Sequence, residues 1–155
     1  PIESEIFPGQ IAFNVLGDTD IEAESGFSPQ ERKIMAEAKQ LLADDSVTVS
    51  PTFVTVPVFY GDTLVCMLWT LEPCDTEAVV RYWGDVGEVK FSPASADTCP
   101  APVNRAGSAE IRVTRLTPDP VDPRGLKVCL VADCSRAGLA RNSVQIAEIL
   151  VKGYL

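Results

Sequence analysis

Two apolar runs constrain this chain more than any other feature. From Val47 to Val58 the residues are β-branched and aromatic, with Val49, Phe53, Val54, Val56 and Val58 suited to a pleated sheet, and a second run extends from Leu64 to Leu71 after the turn-forming Tyr60-Gly61-Asp62-Thr63. A strand with one face in water alternates apolar and polar residues, whereas these runs are apolar at both alternating positions. Both faces of the sheet they enter must therefore be covered. Helices can cover one face, and a second copy of the chain, packed through the sheet as a two-fold homodimer, can cover the other. A hairpin or closely linked strand pair is the expected local form.

The remaining pattern places helices around these strands. Ser28, Pro29 and Glu31 form a Ser-x-x-Glu capping box with proline at the first helical position, and Ile34, Met35, Ala38, Leu41 and Leu42 fall on one face of a helix running from about 28 to 43. Before it, Ile11 to Leu16 reads as a short strand bounded by Gly17 and Asp18. After the apolar runs come a helix over Glu77 to Trp83, a strand over Val89 to Phe91, and a loop of Pro, Ala and Ser over 92–109. Ile111 to Leu116 and Leu126 to Ala132 are two further strands, joined by Thr117 to Gly125, where Pro118, Pro120 and Pro123 exclude regular structure. A last helix starts at Arg136 or Leu139 and ends at Val151, with Gly153 beyond it. This order predicts an α+β fold, a largely antiparallel mixed sheet with helices on one face. At 155 residues, a single domain over 1–155 is expected.

Composition excludes several functions. The 46% apolar and 23% charged residues are those of an ordinary soluble globular domain, and no apolar run reaches the ~20 residues of a membrane span, so no membrane partner and a cytoplasmic location are expected. Net charge is −9 with the basic residues scattered, which leaves little to neutralise phosphates, so no nucleic-acid partner is expected. Cys66, Cys74, Cys99, Cys129 and Cys134 show no Cys-x-x-Cys spacing and read as reduced structural thiols. The chain has no histidine, which removes the commonest zinc ligand and the commonest base near neutrality; no residue is assigned a metal. Trp69, Tyr82 and Trp83 lie in apolar surroundings and are expected in the core or an interface.

Three stretches, in order, resemble the C-terminal half of the aspartate-semialdehyde dehydrogenase family. They are Gln10-Ile11-Ala12-Phe13-Asn14-Val15; Val54-Thr55-Val56-Pro57-Val58-Phe59-Tyr60-Gly61; and Leu130-Val131-Ala132-Asp133 followed by Arg136-Ala137-Gly138 and Asn142-Ser143-Val144-Gln145-Ile146-Ala147-Glu148. The resemblance implies the glyceraldehyde-3-phosphate dehydrogenase-like C-terminal domain, which serves substrate binding and dimerisation. It also implies that NADP and the nucleophilic cysteine belong to a Rossmann domain upstream. No Gly-x-Gly-x-x-Gly occurs here, so no cofactor is expected in this chain, and NADP only if an upstream Rossmann domain exists.

The positions that match the family's substrate machinery have diverged. Where the family reads His-Ser-Glu, this chain reads Asp62-Thr63-Leu64, which puts an apolar side chain where a carboxylate orients substrate. The Gly-Arg-Ile-Arg strand falls on Thr114-Arg115-Leu116-Thr117, which keeps one arginine and loses the carboxylate clamp, though a one-step slip leaves Arg112 or Arg115 in that role. Cys134 replaces an asparagine that lies near the nicotinamide, and the acid-base histidine has no counterpart. Asp62, Thr63, Leu64, Arg115 and Thr117 are thus degenerate substrate positions and Cys134 a degenerate cofactor position, with no catalytic residue assigned. Asp133 fits a helix cap as well as a ligand contact. The expected function is a non-catalytic dimerisation domain. The alternatives are part of an active NADP-dependent semialdehyde dehydrogenase acting on an acyl phosphate or aldehyde, and an anion-binding module using Arg112 and Arg115. If the pocket is a lost enzyme site, Leu64 and Thr117 should approach one another, with Arg115 on the opposite face.

Overall fold

The structure, a computed structural model, describes residues 6–86, 89–93 and 107–154. Its contacts divide the chain into two units, Pro1–Pro57 and Val58–Leu155. Among the described residues the elements are β1 (Leu16–Gly17), α1 (Pro29–Leu42), β2 (Val54–Thr55), β3 (Asp62–Trp69), α2 (Thr76–Val86), β4 (Val89–Phe91), β5 (Ile111–Pro118), β6 (Gly125–Ala132), a π-helical segment (Cys134–Ala140) and α3 (Arg141–Tyr154).

In the first unit, α1 begins as its sequence requires. Ser28 Oγ accepts from Glu31 N at 3.2 Å and Glu31 Oε2 accepts from Ser28 N at 2.9 Å, closing the capping box. Glu31 Oε1 also accepts from Phe53 N at 3.0 Å, so this buried carboxylate ties the segment before β2 to the start of α1. The long strand expected over Val47 to Val58 is reduced to Val54–Thr55, paired antiparallel with β1. Pro51 and Pro57 explain the loss, since each removes a backbone donor that a continuous ladder would need. The strand expected over Ile11 to Leu16 shrinks likewise. Gln10 and Asn14 hydrogen-bond the neighbouring backbone and fold Ile11 to Asn14 into a turn.

The second unit is a four-stranded sheet in the order β3-β6-β5-β4, antiparallel except for the parallel β4/β5 pair. This is the α+β, mixed and largely antiparallel fold that the pattern of elements predicts. The expected hairpin is absent: β3 pairs along its whole length with β6, from Asp62 opposite Ala132 to Trp69 opposite Gly125. The inner face carries Leu126, Val128 and Leu130 of β6 beside Val113 and Leu116 of β5. Trp83 of α2, Cys74, Val89 and Phe91 pack there. Trp83 is thus core, while Trp69 and Tyr82 are exposed.

The last helical region starts earlier than expected and is π-helical for its first seven residues. Gly153 lies inside α3 rather than beyond it. Cys66, Cys74, Cys129 and Cys134 are free thiols; Cys99 and most of the expected 92–109 loop lie outside the described residues.

Candidate functional site

Strand register decides which predicted site residues can act together. Leu64 stands opposite Leu130 and Thr117 opposite Lys127, and because Leu130 and Lys127 are three apart on β6 they point to opposite faces. Leu64 and Thr117 are therefore separated by a whole strand and by the thickness of the sheet, and the expected meeting of the two does not occur. Arg115 lies on the same face as Thr117, not the opposite one: its Nε donates to Thr117 Oγ1 at 3.4 Å. The reason is the two-residue alternation itself, which puts residues 115 and 117 on one side.

A bulge in β5 governs the arginines. Arg112 pairs with Val131 and Arg115 with Cys129, so Thr114 is the additional residue that two residues of β6 do not match. Thr114 is buried and its Oγ1 donates to the Cys129 carbonyl at 3.2 Å, which holds the bulge. Without it, Arg112 and Arg115 would face opposite ways; with it, both lie on the outer face. Arg112 is engaged by Glu110 Oε2 at 3.0 Å and Ser92 Oγ at 3.4 Å. Glu110 is further held by Lys90, and the two cations keep its carboxyl below the usual range. The outer face also carries Thr63, Val65, Met67 and Trp69 of β3, with Lys127, Cys129 and Val131 of β6.

At the other end of the sheet two of the expected site positions come together. Asp62 opens β3 opposite Ala132, and Cys134 follows β6 two residues later. Partial burial of the sulfur, its hydrogen bond to the Asp62 carboxylate, and the charges of Asp62 and Asp133 push the Cys134 thiol up to about 11. At neutral pH it is a thiol and not a nucleophile. Asp133 caps the π-helical segment. Its Oδ1 accepts from Ser135 N at 3.1 Å and from Ser135 Oγ, and its Oδ2 from Gly107 N at 2.7 Å. These bonds hold its carboxyl below the usual range. The role of Asp133 is thus to fix the turn at Gly107 against the end of β6. Sequence spacing shows the cap, but Gly107 is 26 residues away and gives no local signal.

The register thus divides the five expected substrate positions, with Asp62 and Leu64 inward and Thr63, Arg115 and Thr117 outward. No group of three His, Cys, Asp or Glu side chains among the described residues is placed to hold a metal. No helix among them is long and apolar enough to cross a membrane.

An α+β unit whose sheet carries an exposed row of apolar side chains has the form of a domain built to associate. The family model described as semialdehyde dehydrogenase, dimerisation domain, matches residues 1–135, and the chain belongs to that family. It is 36% identical over 154 residues to aspartate-semialdehyde dehydrogenase of Shewanella violacea, a match covering 99% of this chain and 46% of that protein. It is 34% identical over 163 residues to the USG-1 protein homolog of Pseudomonas aeruginosa, covering 100% of this chain and 46% of the relative. Among solved structures, aspartate semialdehyde dehydrogenase II of Vibrio cholerae complexed with ASA superposes with a TM-score of 0.91 at 33% identity, over 100% of this chain and 46% of that one. The chain therefore spans less than half the length of these relatives.

Proposed function

We propose that this chain is the dimerisation part of an aspartate-semialdehyde dehydrogenase-like protein, that it pairs with a second copy through the outer face of its sheet, and that it no longer supplies that reaction's catalytic groups. The carrying observation is the row Val65, Met67 and Trp69 on one face of β3, exposed by 77%, 38% and 62%. Such a row in water favours burial, and a two-fold axis presents the same row to itself. Sedimentation equilibrium at micromolar concentration should find a dimer. Val65→Glu should weaken it at least tenfold, because it places a charge at the centre of an apolar contact. A monomeric wild-type chain overturns the reading.

The catalytic part of the proposal rests on chemistry. The chain has no histidine to move a proton, Leu64 offers no carboxylate to orient substrate, and Cys134 is held as a thiol. NADP, which the resemblance assigns to an upstream domain, finds no fitting group at Cys134, whose thiol is committed to Asp62. A second reading, part of an active NADP-dependent semialdehyde dehydrogenase, is favoured by the names of the relatives. The full-length polypeptide separates the two: reduction of NADP with aspartate semialdehyde and phosphate, at a rate lost on removing an upstream cysteine, supports the second reading.

A further inference from the structure

We propose that β3 pairs edge to edge with β3 of a second copy of the chain, antiparallel about a two-fold axis at Cys66, so that two four-stranded sheets join into one. The inference rests on the dimerisation reading above and fixes how the two apolar rows meet, side by side along the strand edges. β3 is the outermost strand of the order β3-β6-β5-β4. Thr70 N donates to the Arg124 carbonyl at 3.0 Å, one step past the pair of Trp69 with Gly125, and in an antiparallel ladder every second residue from there bonds to the same neighbour. Leu68, Cys66, Leu64 and Asp62 therefore direct their backbone groups at β6. The alternation on β6 agrees, since Gly125 accepts from Asp119 N at 2.7 Å on the β5 side. Thr63, Val65, Met67 and Trp69 aim their N–H and C=O groups outward, and among the described residues these groups have no hydrogen-bond partner.

An open edge of this length is a template for another strand, and folded chains ordinarily blunt such edges with short strands, lysine, proline or a bulge. The sheet does so on its other side, where β4 has three residues and carries Lys90. β3 does not. It runs eight residues without lysine, proline or a shift of register against β6. It is apolar on both faces, with Leu64 and Leu68 51% and 45% exposed on one and Val65 and Trp69 77% and 62% on the other. The occupant is a second copy because the edge complements itself. With Cys66 on the axis, Val65 lies opposite the partner's Met67 and Thr63 opposite the partner's Trp69, so every outward backbone group is paired, and Leu64 stands beside the partner's Leu68. No other two-fold register pairs all four outward residues. The strand lies within the stretch matched by the dimerisation-domain family.

On the axis the two Cys66 residues form a pair without backbone hydrogen bonds between them, their Cα atoms about 4.5 Å apart, within reach of a disulfide. Oxidation of the wild-type chain with copper phenanthroline should give a dimer linked through Cys66, the two thiols losing two protons and two electrons to the oxidant. Cys66→Ser should abolish the link and Cys129→Ser should not. Thr63→Pro removes an outward donor and leaves the β3/β6 ladder and the apolar row intact. It should keep the wild-type circular dichroism and raise the dimer dissociation constant roughly tenfold or more in sedimentation equilibrium. If that variant fails to fold, the cross-link decides. A wild-type dimer that Val65→Glu disrupts but that forms no link through Cys66 refutes the edge pairing and leaves association through the apolar row standing. A monomeric wild type removes both.

Discussion

Glu31 serves three structural roles through one carboxylate: it closes the capping box, enters the first turn of α1, and accepts from Phe53 N, which is 22 residues away. Glu31→Ala should strand two backbone donors, at roughly 1–3 kcal/mol each, and so destabilise the chain by about 2–6 kcal/mol in urea unfolding. Glu31→Gln, which can still accept, should cost less. At Asp133, bonds from Ser135 and from Gly107 N hold the folded pKa below the unfolded one. Its contribution is therefore fully present above the unfolded value, near pH 4, and is lost as pH falls through the folded value. Asp133→Asn should speed amide exchange at Gly107 and Ser135 at neutral pH and remove that part of the acid sensitivity. Unchanged protection at both amides would exclude the tether.

At the scale of elements, the β5–β6 connection shows how proline-rich sequence still makes a defined turn. Asp119 Oδ1 accepts from Val121 N at 2.8 Å and Asp122 N at 3.1 Å, while Gly125 N donates to the Asp122 carbonyl at 2.8 Å. A Cβ on Gly125 would lie 2.6 Å from Asp119 Cβ and 3.1 Å from the Asp122 carbonyl oxygen. Gly125→Ala should therefore lower stability by about 1–3 kcal/mol through overpacking, measured as a shift in the urea midpoint. A midpoint equal to wild type would mean that the turn relaxes freely. The capping box of α1 and the strands of β5 and β6 were legible because their signals are local. The hairpin reading failed because it treated two neighbouring runs as partners, whereas β3 takes its ladder from β6, more than 50 residues on.

At the scale of the whole molecule, the division of site residues between two faces bears on redesign. Leu64→Glu combined with Thr117→Arg cannot assemble a substrate clamp, because register sets the two side chains on opposite sides of the sheet. The purified chain is expected neither to bind NADP nor to oxidise aspartate semialdehyde in the presence of phosphate. Isothermal calorimetry with NADP should give no heat of binding at tens of micromolar; a dissociation constant in the low micromolar range would contradict this. The candidate site was read from the sequence as a set of expected positions, but which of them meet was not legible there. Asp62 reaches Cys134 through the β3/β6 register, and the Thr114 bulge turns Arg115 outward.

The amino-acid sequence by itself determined the start of α1, the α+β order of elements, the lack of an imidazole base, and the apolar character of β3 on both sides. Each follows from residue identity or from spacing within a few positions. Only the tertiary structure decided that Val47 to Val58 contributes two paired residues rather than a long strand, that β3 pairs with β6, and that Leu64 and Thr117 part company. It also gave Asp133 its distant partner at Gly107. The physical reason is that backbone donors accept any acceptor the fold brings within reach, and one extra residue in a strand reverses every side chain after it.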